Sequence, residues 1–327
     1  MTKSEILTAL RESKDYVSGQ ELCEKLQVSR TAVWKKIKQL QEEGYEIEAV
    51  HNKGYRLLGV PDTISEEEVK SRLDTRWAGC QVRYFDTLDS TNTCAKRLAE
   101  EGAPNGTLVI ADQQTAGRGR RGRQWETPKG TAIAMTLLLR PDLRPEKACM
   151  LTLVMGMAVT RALNELFHLG CQIKWPNDVV WNGKKICGIL TEMSTEINMI
   201  NYLVIGSGIN ANIREFPEEL KDKAASLCMA VGHEVNRAQV IQYCMRYLEE
   251  YYDIFRKSGD MSLLMEEYNR MLVSVGSQVC VLEPSGEYRG ISEGINQSGE
   301  LLVRRMDGRL EQVYAGEVSV RGVYGYV

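Results

Sequence analysis

Apolar positions over the first sixty residues predict three helices followed by a hairpin. Val33, Ile37 and Leu40 repeat at the i, i+4, i+7 interval that lines one face of a helix, here over 29–43. Strand-like alternation then flanks a turn at 51–54. A turn-linked helix pair with a hairpin is typical of a winged helix-turn-helix, although a small helical protein-interaction module is an open alternative.

The pattern changes after residue 60. Pro61 and Asp62 mark a linker, and Ser65-x-x-Glu68 has the spacing of a capping box at the start of a helix. Strand-like runs then surround two long predicted helices. The predicted strands are 107–112, 131–139, 179–181, 186–193 and 202–209, and the predicted helices are 148–167 and 237–257. Runs of strands around few helices favour the α+β class over a strictly alternating doubly wound sheet.

From about residue 273 the chain changes again, to short strands separated by turn residues such as Pro284-Ser285-Gly286 and Asp307-Gly308. That pattern is typical of a small β-barrel. The sequence therefore predicts three domains, at 1–60, 61–272 and 273–327.

Composition narrows the function classes. The chain has 327 residues, 41 basic and 44 acidic side chains and a net charge of −3, so an anion site must be a local cluster. Nine scattered cysteines without a C-x-x-C pair favour free thiols in a reducing cytoplasm. Three separated histidines predict no zinc site. The longest apolar stretch, around 149–159, is shorter than the ~18 residues of a membrane span, so no membrane partner is expected.

The most charged local feature is the loop 117–123, which reads G-R-G-R-R-G-R. Glycines let backbone amides approach a ligand, and arginines offer forked donors to phosphate or carboxylate, so the loop predicts an anion site. It also contains G-x-G-x-x-G, but Trp125 and Pro128 follow, and then a strand. A dinucleotide fingerprint must open a helix, so that interpretation is rejected. A nucleic-acid patch and a plain solvated loop are the remaining alternatives.

Two further polar motifs accompany the loop. Ser90-Thr91-Asn92 precedes a predicted helix, and by itself it is most simply a helix cap. Lys174-Trp175-Pro176-Asn177-Asp178 contains ordinary turn residues, but it adds a lysine, an indole and a carboxylate that could bind phosphate, a ring and an amine or metal.

The last two motifs lie at strand ends. Gly183-Lys184-Lys185 precedes an apolar strand, whose edge position would let Lys185 point into a cleft, whereas a solvated hairpin turn suits Lys184 better. Glycines before Asn210, in G-S-G-I-N, indicate close backbone approach, with a β-bulge as the alternative.

Together, S-T-N, Q-x-A-G-R-G-R-R-G-R-x-W, K-W-P-N-D, G-K-K-x-x-G-I-L and G-x-G-I-N resemble the biotin–protein ligase family. With the helix-turn-helix in front, the chain is similar to the bifunctional members that also repress the biotin operon. The resemblance covers essentially the whole chain. It implies a class II synthetase-like α+β central domain and an SH3-like C-terminal β-barrel.

The resemblance also implies roles for individual residues. The implied biotin-binding residues are Ser90, Thr91, Asn92, Gln114, Gly117, Arg118, Gly119, Arg120 and Lys185. The implied ATP-binding residues are Arg121, Arg123, Lys174, Trp175 and Asn210, and the implied catalytic residues are Lys185, Arg120 and Asp178. The expected DNA contacts are Ser29, Arg30, Thr31, Trp34, Lys35, Lys38, Lys53 and Arg56.

The implied activity is ATP-dependent conversion of biotin to biotinyl-5'-AMP, with Mg²⁺ entering on ATP, and transfer to a lysine of a biotin carboxyl carrier protein. The implied regulation is binding of operator DNA as a homodimer, with biotinyl-AMP as co-repressor. One alternative is a lipoate-type ligase, which should lack the arginine loop and the front domain. The other is a ligand-sensing repressor without ligase activity, against which the arginine loop and Lys185 argue.

Overall fold

The first region of the computed structural model contains three helices and one antiparallel hairpin. The model describes residues 2–196, 199–283, 286–315, 319–322 and 326–327. The elements of this region are α1 (Lys3–Glu12), α2 (Gly19–Leu26), α3 (Arg30–Glu42), β1 (Glu46–Val50) and β2 (Gly54–Gly59). Ser29 caps α3 by accepting the N–H of Ala32, and Val33, Ile37 and Leu40 are buried together. The predicted helices and hairpin are confirmed, and use of the hairpin as a wing stays a prediction.

The central region is built on a seven-stranded sheet. Its strands are β3 (Gln81–Leu88), β4 (Thr107–Gln114), β5 (Ala132–Leu139), β6 (Gln172–Lys174), β7 (Asp178–Trp181), β8 (Lys184–Glu196) and β9 (Met199–Asn210). The spatial order is β3-β4-β5-β9-β8-β7-β6. β3 and β4 are parallel, and the other neighbouring pairs are antiparallel. This mixed sheet confirms the α+β prediction.

Helices cover both faces of this sheet. They are α4 (Glu66–Arg72), α5 (Thr91–Glu100), α6 (Ala148–Phe167), α7 (Leu227–Val231), α8 (Arg237–Ser258) and α9 (Met265–Met271). α6 and α8 pack together in the main core, whereas α5 packs with β4, β5 and β9 around a smaller apolar cluster. The segment Pro145–Phe167 is long and apolar enough to span a bilayer, but 67% of its most apolar window is buried, as in a core helix.

The C-terminal region is a five-stranded antiparallel sheet in the order β13-β12-β11-β10-β14. Its strands are β10 (Gln278–Glu283), β11 (Gly286–Ile295), β12 (Leu301–Arg305), β13 (Leu310–Val313) and β14 (Ser319–Gly322). Side chains such as Val279 and Leu301 belong to the same core as α6, whereas the front region has its own core around Leu22. The region therefore shares its core with the central region, and an SH3-like barrel stays a prediction.

A buried carboxylate joins the front region to the central one. Ser65 caps α4 by accepting the N–H of Glu68, as the capping-box spacing predicts. The Glu68 carboxylate is 0% exposed and receives hydrogen bonds from Arg11, Tyr45 and Arg72. Because a buried charge is stable only when it is paired, this contact fixes the two regions against each other.

Candidate active site

A cleft opens at the N-terminal end of α5, beside β8 and β9. It brings together residues from all five motifs that the sequence singles out. The predicted site residues among its walls are Ser90, Thr91, Asn92, Gln114, Arg118, Gly119, Arg120 and Lys185. A concave site with a few convergent polar groups is the usual form of a small-molecule site.

The polar end of the cleft is held by its own hydrogen bonds. Thr91 donates its N–H to Gln114 Oε1 over 2.8 Å, and Thr136 Oγ1 lies 2.7 Å from Asn92 Oδ1. Ser90 occupies the N-cap position of α5, but its hydroxyl makes no capping hydrogen bond. Ser90 is thus the cap residue by position, as the helix-cap interpretation predicts, but its side chain does not cap the helix; the residue is 4% exposed and borders the cleft.

Two glycines of β9 form the floor of the cleft. A Cβ atom on Gly206 would lie 2.2 Å from Asn92 Oδ1, and one on Gly208 would lie 2.4 Å from the Trp125 indole. The pairing of β9 with both neighbours is regular at these positions. Close approach is therefore confirmed, and the β-bulge alternative is wrong.

The arginine loop borders the opposite side of the cleft. It contains a single helical turn, Arg120–Gly122, with Arg121 at φ +58°, and the chain then continues into β5. No α-helix opens at these described residues, which confirms the rejection of a dinucleotide fingerprint. The Arg120 guanidinium donates to Asn177 Oδ1 over 2.8 Å and to the Ala315 carbonyl over 3.2 Å. Burial lowers the pKa of Arg120, but an arginine remains charged at neutral pH.

A lysine–carboxylate pair lies where β7 and β8 adjoin. Lys185 Nζ is 2.6 Å from Asp178 Oδ1 and 5.4 Å from the centroid of the Trp125 ring. Lys184, from the same turn, instead donates to the Lys221 carbonyl at an exposed position. Of the two lysines, Lys185 is thus the one directed into the cleft, as the sequence favours.

Comparison with known proteins identifies the family. The chain is 41% identical to the bifunctional ligase/repressor BirA of Bacillus subtilis over 310 residues, which cover 94% of each chain. The chain belongs to the BirA family. It is also 30% identical to the bifunctional ligase/repressor BirA of Escherichia coli over 316 residues, 96% of each chain.

The domain matches follow the three structural regions. Residues 2–56 match an HTH domain, 84–210 match the biotin/lipoate A/B protein ligase family, and 275–321 match the biotin protein ligase C terminal domain. The biotin protein ligase from Aquifex aeolicus in complex with biotin and ATP is 31% identical with a TM-score of 0.65. That match covers 74% of this chain and 99% of the other.

Several residues that the BirA resemblance assigns to ATP lie outside the cleft walls. The Trp175 indole is 3% exposed and donates to the Gly299 carbonyl, so it is not free to meet a nucleotide. Asn210 is 5% exposed, and its amide donates to the Ala225 carbonyl. These contacts argue against side-chain recognition of adenine by either residue. Arg121 and Arg123 are exposed on the loop.

Lys174 is half-buried outside the cleft, with Nζ 3.2 Å from the centroid of the Tyr326 ring. Gly117 is also absent from the cleft walls; it is the buried first residue of the loop, and a Cβ atom there would come within 2.3 Å of the Trp125 carbonyl. Both residues nevertheless adjoin elements that form the site.

The cleft also contains residues that the sequence-based assignment omits. Trp125 and Asn177 lie in its walls together with the apolar residues Ile189 and Leu190. Both polar members belong to recognised motifs, R-x-W and K-W-P-N-D, and that membership is the signal that could have found them. Within the described ranges, no three His, Cys, Asp or Glu side chains are grouped as metal ligands. All nine cysteines are free, as expected.

In the HTH domain of this BirA-family chain, α3 displays the expected DNA contacts. The exposed side chains are Ser29, Arg30, Thr31, Trp34, Lys35 and Lys38. Trp34 is 49% exposed, and Lys38 Nζ lies 5.0 Å from its ring centroid. Lys53 and Arg56, from the hairpin, lie against the Tyr16 ring at 5.6 and 4.9 Å, so their positions are set by packing.

Proposed function

We propose that this chain joins biotin to AMP and transfers the biotin to a lysine of a biotin carboxyl carrier protein. The observation that carries the proposal is the convergence of the polar S-T-N cluster, the arginine loop and Lys185 on one cleft. Neutral polar groups suit a ureido end, and cations suit a carboxylate and phosphates. The names of the relatives, which include biotin ligases, support biotin over lipoate.

The chemistry fits this distribution of charge. In the first step a biotin carboxylate oxygen attacks the α-phosphorus of ATP, and pyrophosphate leaves. In the second, the carrier amine attacks the acyl carbon of biotinyl-5'-AMP, and AMP leaves. Two anions must meet in the first step, so positioned cations stabilise its transition state. We assign that role to Lys185 and Arg120, and we assign orientation of the incoming amine to Asp178.

The remaining residues take supporting roles in the proposal. Ser90, Thr91, Asn92 and Gln114 would hold the ureido end, and Gly117, Arg118 and Gly119 would wrap the carboxylate side. Arg121, Arg123 and Lys174 would meet ATP phosphates. Backbone groups near Asn210 and the segment 212–227, which pairs with Lys185 through Ala224, would lie beside the adenine.

Mg²⁺ would enter with the nucleotide and neutralise phosphate charge. Such an ion keeps several of its waters and would be bound through the substrate phosphates.

A transfer assay tests this activity. The chain is incubated with ATP, Mg²⁺, a biotin carboxyl carrier domain and either biotin or lipoate, and the carrier is probed for each label. Biotinylated carrier is expected. Lipoylation would identify a lipoate-type ligase, and absence of both products would favour a sensing repressor without ligase activity.

We further propose that the chain represses a biotin operon in the cytoplasm. It would do so as a homodimer with biotinyl-AMP as co-repressor, because one helix-turn-helix reads one half-site. In this proposal α3 enters the major groove, and the β1–β2 hairpin is the wing that touches backbone phosphates. In this proposal the DNA-binding domain spans residues 1–60, a class II synthetase-like catalytic domain spans 61–272, and an SH3-like barrel spans 273–327.

Sedimentation with and without biotinyl-AMP, followed by operator binding under both conditions, tests the regulation. Biotinyl-AMP is expected to increase both the dimer fraction and operator affinity, since the linkage is reciprocal. Equal values in both conditions would refute the coupling. Deleting residues 1–60, or changing Lys35 and Lys38 to alanine in the full chain, should abolish operator binding and leave adenylate synthesis largely intact.

A further inference from the structure

Asp178 has a hydrogen-bond partner besides Lys185, and this partner links it to Arg120. Its Oδ1 faces Lys185 Nζ and also accepts from the Asn177 side-chain amide over 3.0 Å. Asn177 Oδ1 in turn accepts from Arg120. One carboxylate thus lies between the two cations that we assign to catalysis, so any group that fixes Asp178 also affects the geometry of both.

The other carboxylate oxygen is occupied from the far end of the chain. The Tyr326 hydroxyl donates to Asp178 Oδ2, 148 residues away in sequence. Burial, together with the nearby Asp178 charge, raises the pKa of Tyr326, so the hydroxyl keeps its proton and can act as the donor. Asp178 is therefore held on one side by the catalytic lysine and on the other by Tyr326, which together with Val327 we call the C-terminal segment.

Two further contacts dock this segment on the site. Lys174 Nζ lies over the Tyr326 ring, a position in which the ring attracts the cation. The adjacent Val327 packs against the turn that precedes Lys185, since a Cβ atom on Gly183 would lie 3.1 Å from its side chain. The Tyr326 ring thus packs on Lys174 of the K-W-P-N-D motif, while its hydroxyl reaches Asp178 of the Lys185–Asp178 pair.

We propose that Tyr326 is a positioning residue for the Lys185–Asp178 pair, through which the C-terminal segment takes part in adenylate formation. This inference rests on the proposed ligase function. With its hydroxyl bonded to Oδ2, Asp178 presents Oδ1 to Lys185, and the lysine is held where the biotin carboxylate and the α-phosphate meet. The rival explanation is that Tyr326 only packs, in which case the ring matters and the hydroxyl does not.

Tyr326→Phe in the full-length chain separates these explanations, because it keeps the ring over Lys174 and removes only the hydroxyl. The assay is biotin-dependent exchange of pyrophosphate into ATP. We expect kcat to fall about tenfold, at the lower end of the cost of losing a hydrogen bond to a charged group. KM for biotin should stay within twofold, and the melting temperature should change by less than about 2 °C. Tyr288→Phe is the matched control, since that ring packs on Arg305 within the C-terminal sheet, away from Asp178.

A double-mutant cycle identifies the route of the effect. In the Asp178→Asn background, Tyr326→Phe should cause no further loss if Tyr326 acts through Asp178. Unchanged kcat in Tyr326→Phe, or losses that multiply independently in the double variant, would overturn the inference. If the wild-type chain itself shows no biotin-dependent exchange, the proposed function fails first, and the inference fails with it.

Discussion

The two sides of the cleft differ in what fixes them. On the S-T-N side, Thr91 and Asn92 are buried and bonded to Gln114 and Thr136. On the other side, most of the loop 117–123 is exposed, and its Arg120 is anchored to Asn177 and Ala315. One side is set by the core before any ligand arrives, whereas the other has charge but little apolar contact.

This difference suggests a division of labour. A neutral polar end of a ligand is best met by groups already in place, because ordering them on binding would reduce affinity. A loop with little core contact opens at low free energy, so it can admit reactants and order around the charged end. Lys185 lies where the two sides meet.

The largest effect is expected from replacing Lys185, the residue at which the two sides of the cleft meet. Lys185→Ala should retain the fold and reduce biotin-dependent pyrophosphate exchange by about 100- to 1,000-fold, the usual loss for a transition-state donor. Lys184→Ala, from the same turn, should remain within threefold of wild type, because its ammonium meets the Lys221 carbonyl at the surface. Equal activity of the two variants would remove Lys185 from the mechanism.

The elements that the sequence could predict are those with a strong apolar pattern. Periodic apolar segments were well determined: the predicted helix 148–167 has the bounds of α6 (Ala148–Phe167). β3 and β6 were not predicted, and they are the two edge strands of the sheet. Edge strands have weak apolar alternation, and β6 has only three residues, so local pattern carries little signal there.

Site residues were predictable as motifs but not always as contacts. The sequence assigned Trp175 to the site, whereas the cleft contains Trp125. Trp175 is fixed by Gly299, 124 residues away, and Asp178 by Tyr326, and no local spacing reveals such contacts. The S-T-N residues do border the cleft, at a helix start where backbone and side chains converge, and their role in biotin binding stays a prediction.

Arg120→Ala tests the loop side of the comparison. We expect the release rate of biotinyl-AMP to rise by tens of fold, because a charge-assisted clamp is lost. The ligand-free melting temperature should fall only slightly, because little apolar surface is uncovered. A large drop in melting temperature with unchanged release would show that the loop is structural.

Gly117→Ser, at the start of the same loop, should behave differently from Arg120→Ala. A side chain there would approach the Trp125 carbonyl and the Gln114 amide within 3 Å, so it should also disturb the ligand-free fold. Comparing the ligand-free melting temperatures of Gly117→Ser and Arg120→Ala therefore distinguishes the structural role of the start of the loop from the role of Arg120.

Gly206→Ala tests the opposite side. The new methyl group would displace Asn92, so KM for biotin should rise about tenfold and stability should fall by about 1–3 kcal/mol, the usual cost of overpacking. Gly156→Ala in α6 is the matched control, since its nearest contacts would be ordinary at 3.9 Å and alanine favours a helix. Loss of stability with unchanged biotin KM would separate Asn92 from ligand binding.

The smallest effect, a severalfold change with pH, concerns Lys174. Burial lowers its pKa to about 8; Asp178 opposes this, and Lys185, Arg321 and Arg123 add to it. Because the pKa in the folded chain lies below the ordinary lysine value, the folded chain binds fewer protons than the unfolded chain between about pH 8 and 10.5. The contribution of Lys174 to stability therefore increases as pH rises through that window.

Phosphate binding by Lys174 should show the opposite trend. If Lys174 meets ATP phosphates, kcat/KM for ATP should decrease above pH 8 as the ammonium loses its charge, since kcat/KM reports ionisations of the free enzyme. Lys174→Arg should remove that alkaline decrease, because arginine stays charged. An identical decrease in wild type and Lys174→Arg would assign it to another group and leave Lys174 as a packing partner of Tyr326.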